Sequence, residues 1–136
     1  MLKRNKRFLI ALLTFTLPFG CVGCSNGGSA HTPASYDQIS GAEAKALMDS
    51  ESGYIILDAR EQDEYDEGHI PGAILIPYGE IADRAEKELL DKNQLILVYC
   101  RSGRRSKIAA EELVKLGYTN VKEFGGIIDW EYEIVK

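Results

Sequence analysis

The chain has 136 residues, 45% hydrophobic and 27% charged, a balance that suits one globular domain and excludes a disordered or fibrous chain. A formal charge of −5 and a pI near 5.1 leave no basic stripe to neutralise phosphates, so no nucleic-acid partner is expected. Three cysteines are too few for a disulfide framework.

Residues 1–23 have the layout of an export signal: Lys3, Arg4, Lys6 and Arg7, then an apolar run from Phe8 to Phe19 with no acid in it. That run is shorter than the ~20 residues a helix needs to span a bilayer, which favours a removed signal over a transmembrane anchor. It leads into Cys21-Val22-Gly23-Cys24-Ser25, which resembles the lipobox of bacterial lipoproteins, with Cys24 as the lipidated residue that becomes the mature N-terminus. Cys21 to Cys24 also have Cys-x-x-Cys redox spacing, but inside a processed segment rather than at the head of a domain helix. Without residues 1–23 the chain keeps 12 basic and 21 acidic residues, net −9. Such a protein is held at a membrane by lipid, not by attraction to anionic headgroups. The expectation is an exported protein, lipid-anchored to the bacterial membrane or envelope. Residues 24–35, rich in Gly and Ser, read as a flexible tether with a reach of ~18 Å; His31 within it has no neighbouring ligand type and reads as solvated. Residues 36–136 are the domain.

Within the domain, strand and helix signals alternate. Ser40 and Glu43 form a capping box, so a helix starts at Gly41 with Ala44, Leu47 and Met48 on one face. Tyr54–Leu57 is a strand. Ile74–Ile76 is another, ended by Pro77, and Ile81, Ala82, Ala85 and Leu89 then recur at helical spacing. Leu95–Tyr99 is continuously apolar, as a strand covered on both faces requires. Ala109, Ala110, Leu113 and Val114 mark the next helix, closed by Gly117. Val121–Phe124 is the last strand, and Ile128 and Trp130 are expected to pack on the core. This order predicts an α/β fold with a mostly parallel central sheet, helices on both faces and ligands at the carboxyl ends of the strands.

The informative stretch is Cys100-Arg101-Ser102-Gly103-Arg104-Arg105-Ser106, between the apolar strand and an amphipathic helix. A strand-to-helix loop can turn successive backbone N–H groups inward, and the helix adds the positive end of its macrodipole, so an anion at the centre is stabilised. Cys100 there is shifted toward thiolate, the nucleophilic form. A buried inert thiol is the alternative, and three arginines within five residues disfavour it.

Two separated motifs carry a resemblance to the rhodanese-like domain, the thiosulfate sulfurtransferase family, over roughly residues 36–134. One is IILDAREQDEYDEGHIPGAILIP, residues 55–77, similar to the family's Asp-x-Arg, Glu-Tyr and Gly-His-Ile-Pro-Gly-Ala elements. The other is LVYCRSGRRS, residues 97–106, followed by Gly117-Tyr118-Thr119-Asn120-Val121 and Gly125-Gly126-Ile127 with Trp130. After Trp130 the chain departs from the family pattern and ends EYEIVK. The resemblance implies that Cys100 forms a persulfide and that Arg101, Ser102, Gly103, Arg104 and Arg105 make its substrate loop. Arg105, with or without Arg104, would draw in a small sulfur-containing anion such as thiosulfate, and cyanide or a thiol would accept the sulfur. No metal or cofactor is implied, and a protein partner is compatible with it. Asp58 and Arg60 read as an internal ion pair bracing loops, and His69 as structural. The five acids between Glu61 and Glu67 lack the spacing of a Ca²⁺ loop and read as a solvated acidic loop. A phosphatase or arsenate-reductase cradle would need Cys-x₅-Arg, and Ser106 stands at that position. An envelope persulfide carrier with little turnover would use the same cysteine and remains the alternative.

Overall fold

The computed structural model describes residues 35–136; the expected export signal 1–23, the lipidation candidate Cys24 and all of the expected tether but Ser35 lie outside the described residues. In chain order the elements are β1 (Asp37–Gln38), α1 (Gly41–Ser50), β2 (Ile55–Asp58), α2 (Gln62–Glu67), β3 (Ile74–Leu75), α3 (Ile81–Glu88), β4 (Ile96–Cys100), α4 (Arg104–Lys115) and β5 (Val121–Gly126). Short 3₁₀ turns at Tyr78–Glu80 and Ile127–Asp129 precede α3 and follow β5.

Local chemistry accounts for where the helices begin and end. At α1, the Glu43 N–H donates to Ser40 Oγ at 3.2 Å and the Ser40 N–H donates to Glu43 Oε2 at 2.7 Å, which satisfies two otherwise orphaned donors. At the end of α4, Gly117 at φ +94° lets its own N–H reach Val114 O at 3.0 Å and the Tyr118 N–H reach Leu113 O at 3.1 Å.

The five strands pair in parallel in the order β1-β5-β4-β2-β3, which puts β4 at the centre, between β2 and β5. Every residue of β4 is buried, because both faces are covered. On one face Leu57, Ile96, Val98 and Cys100 pack against Ile81 and Ala85 of α3 and Ala109, Ala110 and Leu113 of α4. On the other, Ile56, Leu97, Tyr99 and Phe124 pack against Ala44 of α1, with Tyr65 and Trp130 partly buried beside them. The chain has the expected α/β fold with a parallel central sheet, which presents the end of β4 between the two layers of helices.

Beside that end, Arg60 grips Asp58 with Nη2 2.7 Å from Oδ2 and Nε 3.0 Å from Oδ1, and also donates to Gly68 O at 2.7 Å. Tyr99 donates its hydroxyl to Asp58 Oδ2 at 2.6 Å and accepts the Ile70 N–H at 3.2 Å. The pair thus ties β2 and β4 to the loop over residues 68–70, the bracing role expected of it. His69 stacks on Tyr65 with ring centroids 3.7 Å apart, and its backbone pairs in both directions with Val135, so the departing tail EYEIVK lies against this loop.

Two expectations fail. The acidic stretch is not a solvated loop: Gln62–Glu67 is α2, tied down by Tyr65 Oη donating to Ala73 O at 2.6 Å and by Glu64 holding Arg105. Ile128 is 61% exposed rather than packed, because the turn that seats Trp130 on the core aims Ile128 outward. The edge strand β1, only two residues long, was absent from the sequence reading.

Candidate active site at the end of the central strand

Cys100 is the last residue of β4, and α4 begins four residues later at Arg104, so only Arg101, Ser102 and Gly103 lie between strand and helix. Arg104 and Arg105, expected in the loop, belong to the first turn of α4. Gly103 caps the helix at φ +105°, a left-handed conformation that a side chain would strain, and there its N–H points back at Cys100 Sγ, 3.0 Å away. On the far side Gly126 of β5 lies flat against the loop: a Cβ on it would fall 2.0 Å from Arg101 O and 2.6 Å from Ser102 Cα. The Ile128 N–H donates to Arg101 O at 3.2 Å. The loop is therefore fixed by strand pairing, by a helix cap and by a glycine whose missing side chain makes room.

Cys100 is 1% exposed, and burial alone would raise its pKa. Hydrogen-bond donors more than offset burial: the Ser106 hydroxyl and amide, with the amides of Gly103 and Ser102, hold the thiol below its ordinary value, and the Gly103 N–H makes the close contact with the sulfur. The amide nest and the amino end of α4 make this an anion-accepting position.

The three arginines divide. Arg105 forms two parallel bonds to Glu64 of α2, at 2.6 and 2.7 Å, and this pairing holds the Glu64 carboxyl down to about 2. Arg101 and Arg104 are exposed at the rim beside Ser102, and neither forms an ion pair among the described residues. The structure thus brings the sequence-predicted loop residues together around Cys100. It adds two carboxylates that the sequence reading did not place here, Glu64 and Glu123. Glu123, on β5 and 2% exposed, accepts from Ser106 Oγ at 2.6 Å and from the Gly125 N–H at 2.8 Å. Strand alternation gave a signal for it, because Glu123 must share the face of Val121, which is covered by α4.

The family profile of the rhodanese-like domain matches residues 40–133. The chain belongs to that family, which includes thiosulfate sulfurtransferases. It is 40% identical over 103 residues to a Bacillus subtilis protein named as a candidate sulfur carrier, YrkF, a match covering 75% of this chain but only 55% of the relative. To the thiosulfate sulfurtransferase PspE of Escherichia coli it is 41% identical over 73 residues, 54% of this chain and 70% of that one. Among solved structures, a rhodanese with anions from E. coli superposes with a TM-score of 0.58 at 38% identity, over 61% of this chain and 98% of the other.

Proposed function

We propose that the domain is a sulfurtransferase in which Cys100 takes a sulfane sulfur from thiosulfate or a similar anion and gives it to cyanide or a thiol. The observation that carries this reading is the Gly103 amide aimed at Cys100 Sγ, at the head of α4 and beneath exposed Arg101 and Arg104. In the first half-reaction the thiolate attacks the outer sulfur of thiosulfate; the S–S bond breaks with its electron pair leaving on sulfite, and Cys100 becomes Cys–S–S⁻. In the second, cyanide attacks the outer sulfur, thiocyanate leaves and the thiolate returns. Both half-reactions pass through an anionic sulfur at one place, where amide donors need no reorganisation. Because the donors around Cys100 favour its thiolate form, His69, held between Tyr65 and the tail, is not required as a base.

A thiosulfate:cyanide assay tests this reading, with Cys100→Ser expected to abolish both thiocyanate production and persulfide formation. Thiocyanate production retained in Cys100→Ser would refute Cys100 as the nucleophile. A carrier function is the second reading, favoured by the likeness to the B. subtilis protein; it predicts persulfide on Cys100 with negligible thiocyanate. We further propose that the mature protein begins at lipidated Cys24 and is displayed at the bacterial envelope, supported by the basic and apolar signal layout and the lipobox-like Val22-Gly23-Cys24. Mass spectrometry of the mature N-terminus should find diacylglycerol on Cys24, and Cys24→Ser should release the domain from membranes. An unmodified N-terminus upstream of Cys24 would overturn it.

A further inference from the structure

Residues 35–136 carry 12 basic and 21 acidic side chains, so the domain as a whole is strongly acidic. Most of its cations are tied to acids. Those that form no ion pair among the described residues are Lys87, Arg101, Arg104, Lys107 and Lys136, and three of these five fall within seven residues after Cys100. Arg101 is exposed on the loop, and Arg104 and Lys107 are exposed one turn apart at the start of α4. Two large apolar side chains stand in water beside them. Ile108, 38% exposed, follows Arg104 by four residues and so shares its helix face. Ile128, 61% exposed, is fixed next to the loop by its own N–H, which donates to Arg101 O at 3.2 Å. Exposed Asp129 beyond Ile128 and exposed Glu111 beyond Lys107 bound the patch. A small sulfur anion accounts for only part of it. The loop arginines suffice to draw such an anion in, whereas isoleucines leave water only against another large surface. Single exposed apolar residues are ordinary; here two flank unpaired cations around the nucleophile.

We infer that this rim, formed by Arg101, Arg104, Lys107, Ile108 and Ile128, docks a protein sulfur acceptor whose cysteine lies on a protruding segment carrying both acidic and large apolar residues. The inference rests on the sulfurtransferase reading and makes the accepting thiol of that reading a protein thiol. The acceptor thiolate attacks the outer sulfur of Cys100–S–S⁻; the bond between that sulfur and Cys100 Sγ breaks with its electron pair on Sγ, so the acceptor becomes a persulfide and Cys100 a thiolate, with no net oxidation. The segment must protrude because Cys100 is 1% exposed and a persulfide places its outer sulfur only about 2 Å beyond Sγ. Charge gives the encounter its direction. An acidic partner is repelled by the rest of this acidic domain and attracted at the rim, so it arrives with its cysteine over Cys100. A second copy meeting the same face would set cations against cations. An anionic membrane laid on the rim would seal Cys100 from its donor and would meet the field of the whole acidic domain.

The test uses the full chain and two end-capped probe peptides, Leu-Glu-Cys-Asp-Leu and its basic counterpart Leu-Lys-Cys-Lys-Leu. Sulfur transfer from persulfidated protein is followed by mass spectrometry of the peptide. Rates are compared per thiolate, because neighbouring acids raise a cysteine pKa and lysines lower it. The acidic peptide should take the sulfur about tenfold faster than the basic one at low ionic strength, with the gap closing as salt is added. The triple substitution Lys107→Gln, Ile108→Ser and Ile128→Ser should slow transfer to the acidic peptide several-fold and leave thiosulfate:cyanide turnover unchanged. Lys107→Gln with Ile108→Ser stands in if the change at Ile128 loosens the loop. Equal rates for the two peptides overturn the inference. So does a variant that transfers to the acidic peptide as fast as wild type, or one that loses cyanide turnover in parallel. Fluorescein-labelled peptides with Ser in place of Cys read docking by anisotropy without any sulfur. Wild-type protein that forms no persulfide, yet binds the acidic peptide in preference and loses it in the triple variant, would remove the sulfurtransferase reading and leave the docking surface standing. Phosphatidylglycerol vesicles that displace the labelled acidic peptide from wild type would assign the rim to lipid and overturn the inference.

Discussion

Gly126→Ala asks whether the loop around Cys100 is shaped by β5. The backbone at Gly126, φ −129° and ψ 150°, is ordinary extended chain that alanine adopts without strain, so the prohibition is steric alone. The new Cβ would lie 2.0 Å from Arg101 O, and ordinary contact begins at 3.4 Å, so the loop must retreat by about 1.4 Å. Because the obstructing atoms are backbone, no rotamer change relieves the clash. Overpacking of this kind costs about 3 kcal/mol, and the stiffer unfolded chain of alanine returns about 1 kcal/mol to the difference. The net loss of ~2 kcal/mol corresponds to a fall in Tm of about 8–16 °C for a domain of this size. If the loop yields locally instead, the Gly103 amide leaves the sulfur, and a displacement near 1 Å costs on the order of 10²-fold in rate. Thermal melting by circular dichroism reads the first outcome, and Cys100 alkylation with thiosulfate:cyanide turnover reads the second. Gly79→Ala is the control: nothing lies within 4 Å of its Cβ position, so only the unfolded-chain effect remains, and its Tm should rise by a few degrees while turnover is unchanged. Wild-type Tm and wild-type alkylation in Gly126→Ala would show that β5 does not set the loop.

Other substitutions probe what surrounds the loop. Tyr99→Phe removes the hydroxyl that serves Asp58 and the Ile70 N–H, leaving buried polar groups short of partners; denaturant unfolding should give a loss of about 2–3 kcal/mol, and a loss under ~0.5 kcal/mol would mean the network relaxes. Glu64→Gln breaks the bidentate pair with Arg105, which is largely but not fully buried, and should cost about 1 kcal/mol at neutral pH. Because folding lowers the Glu64 carboxyl from 4.5 to about 2, its contribution is complete above pH 4.5 and is lost as the pH falls through about 2. Stability curves of wild type and Glu64→Gln should therefore converge at the acid end, and a constant gap down to pH 2 would contradict the pairing. If the proposed export and persulfide hold, the persulfide should shield Cys100 from oxidation; intact mass of freshly isolated protein should then contain a population about one sulfur atom heavier, and a mainly oxygenated population would count against it.

Where the fold was legible in the sequence, local chemistry decided it. The Ser40–Glu43 box, Gly117 and the unbroken run Leu95–Tyr99 each act within a few residues of themselves, and the structure has the elements they announce. The position of Cys100 between strand and helix was legible for the same reason. α2 was not, because five acids in seven residues offer no apolar periodicity; its helix depends on Glu64 meeting Arg105 and Tyr65 meeting Ala73, contacts that exist only after folding. Glu123 was missed because an acid in a strand is ordinarily solvated, and only its alternation with Val121 marked it as inward. Ile128 was misjudged by composition: its apolar side chain is carried outward by a turn whose direction is set by Trp130.

Three arginines in five residues suggest that guanidinium charge makes the thiol reactive, and the geometry assigns that work elsewhere. Arg105 is cancelled by Glu64, while Arg101 and Arg104 stand in water, where the Debye length is about 8 Å at physiological salt. What faces the sulfur at short range is the Gly103 amide, 3.0 Å away, which no salt screens. Reactivity and capture should therefore separate. Arg101→Ala with Arg104→Ala should leave the alkylation of Cys100 by neutral iodoacetamide unchanged. The same double variant should raise KM for dianionic thiosulfate several-fold at low ionic strength, with the difference fading as salt is added. If the double variant instead slowed alkylation in parallel with turnover, the guanidinium groups would be acting on the sulfur itself, and the amide-centred account of the site would have to be abandoned.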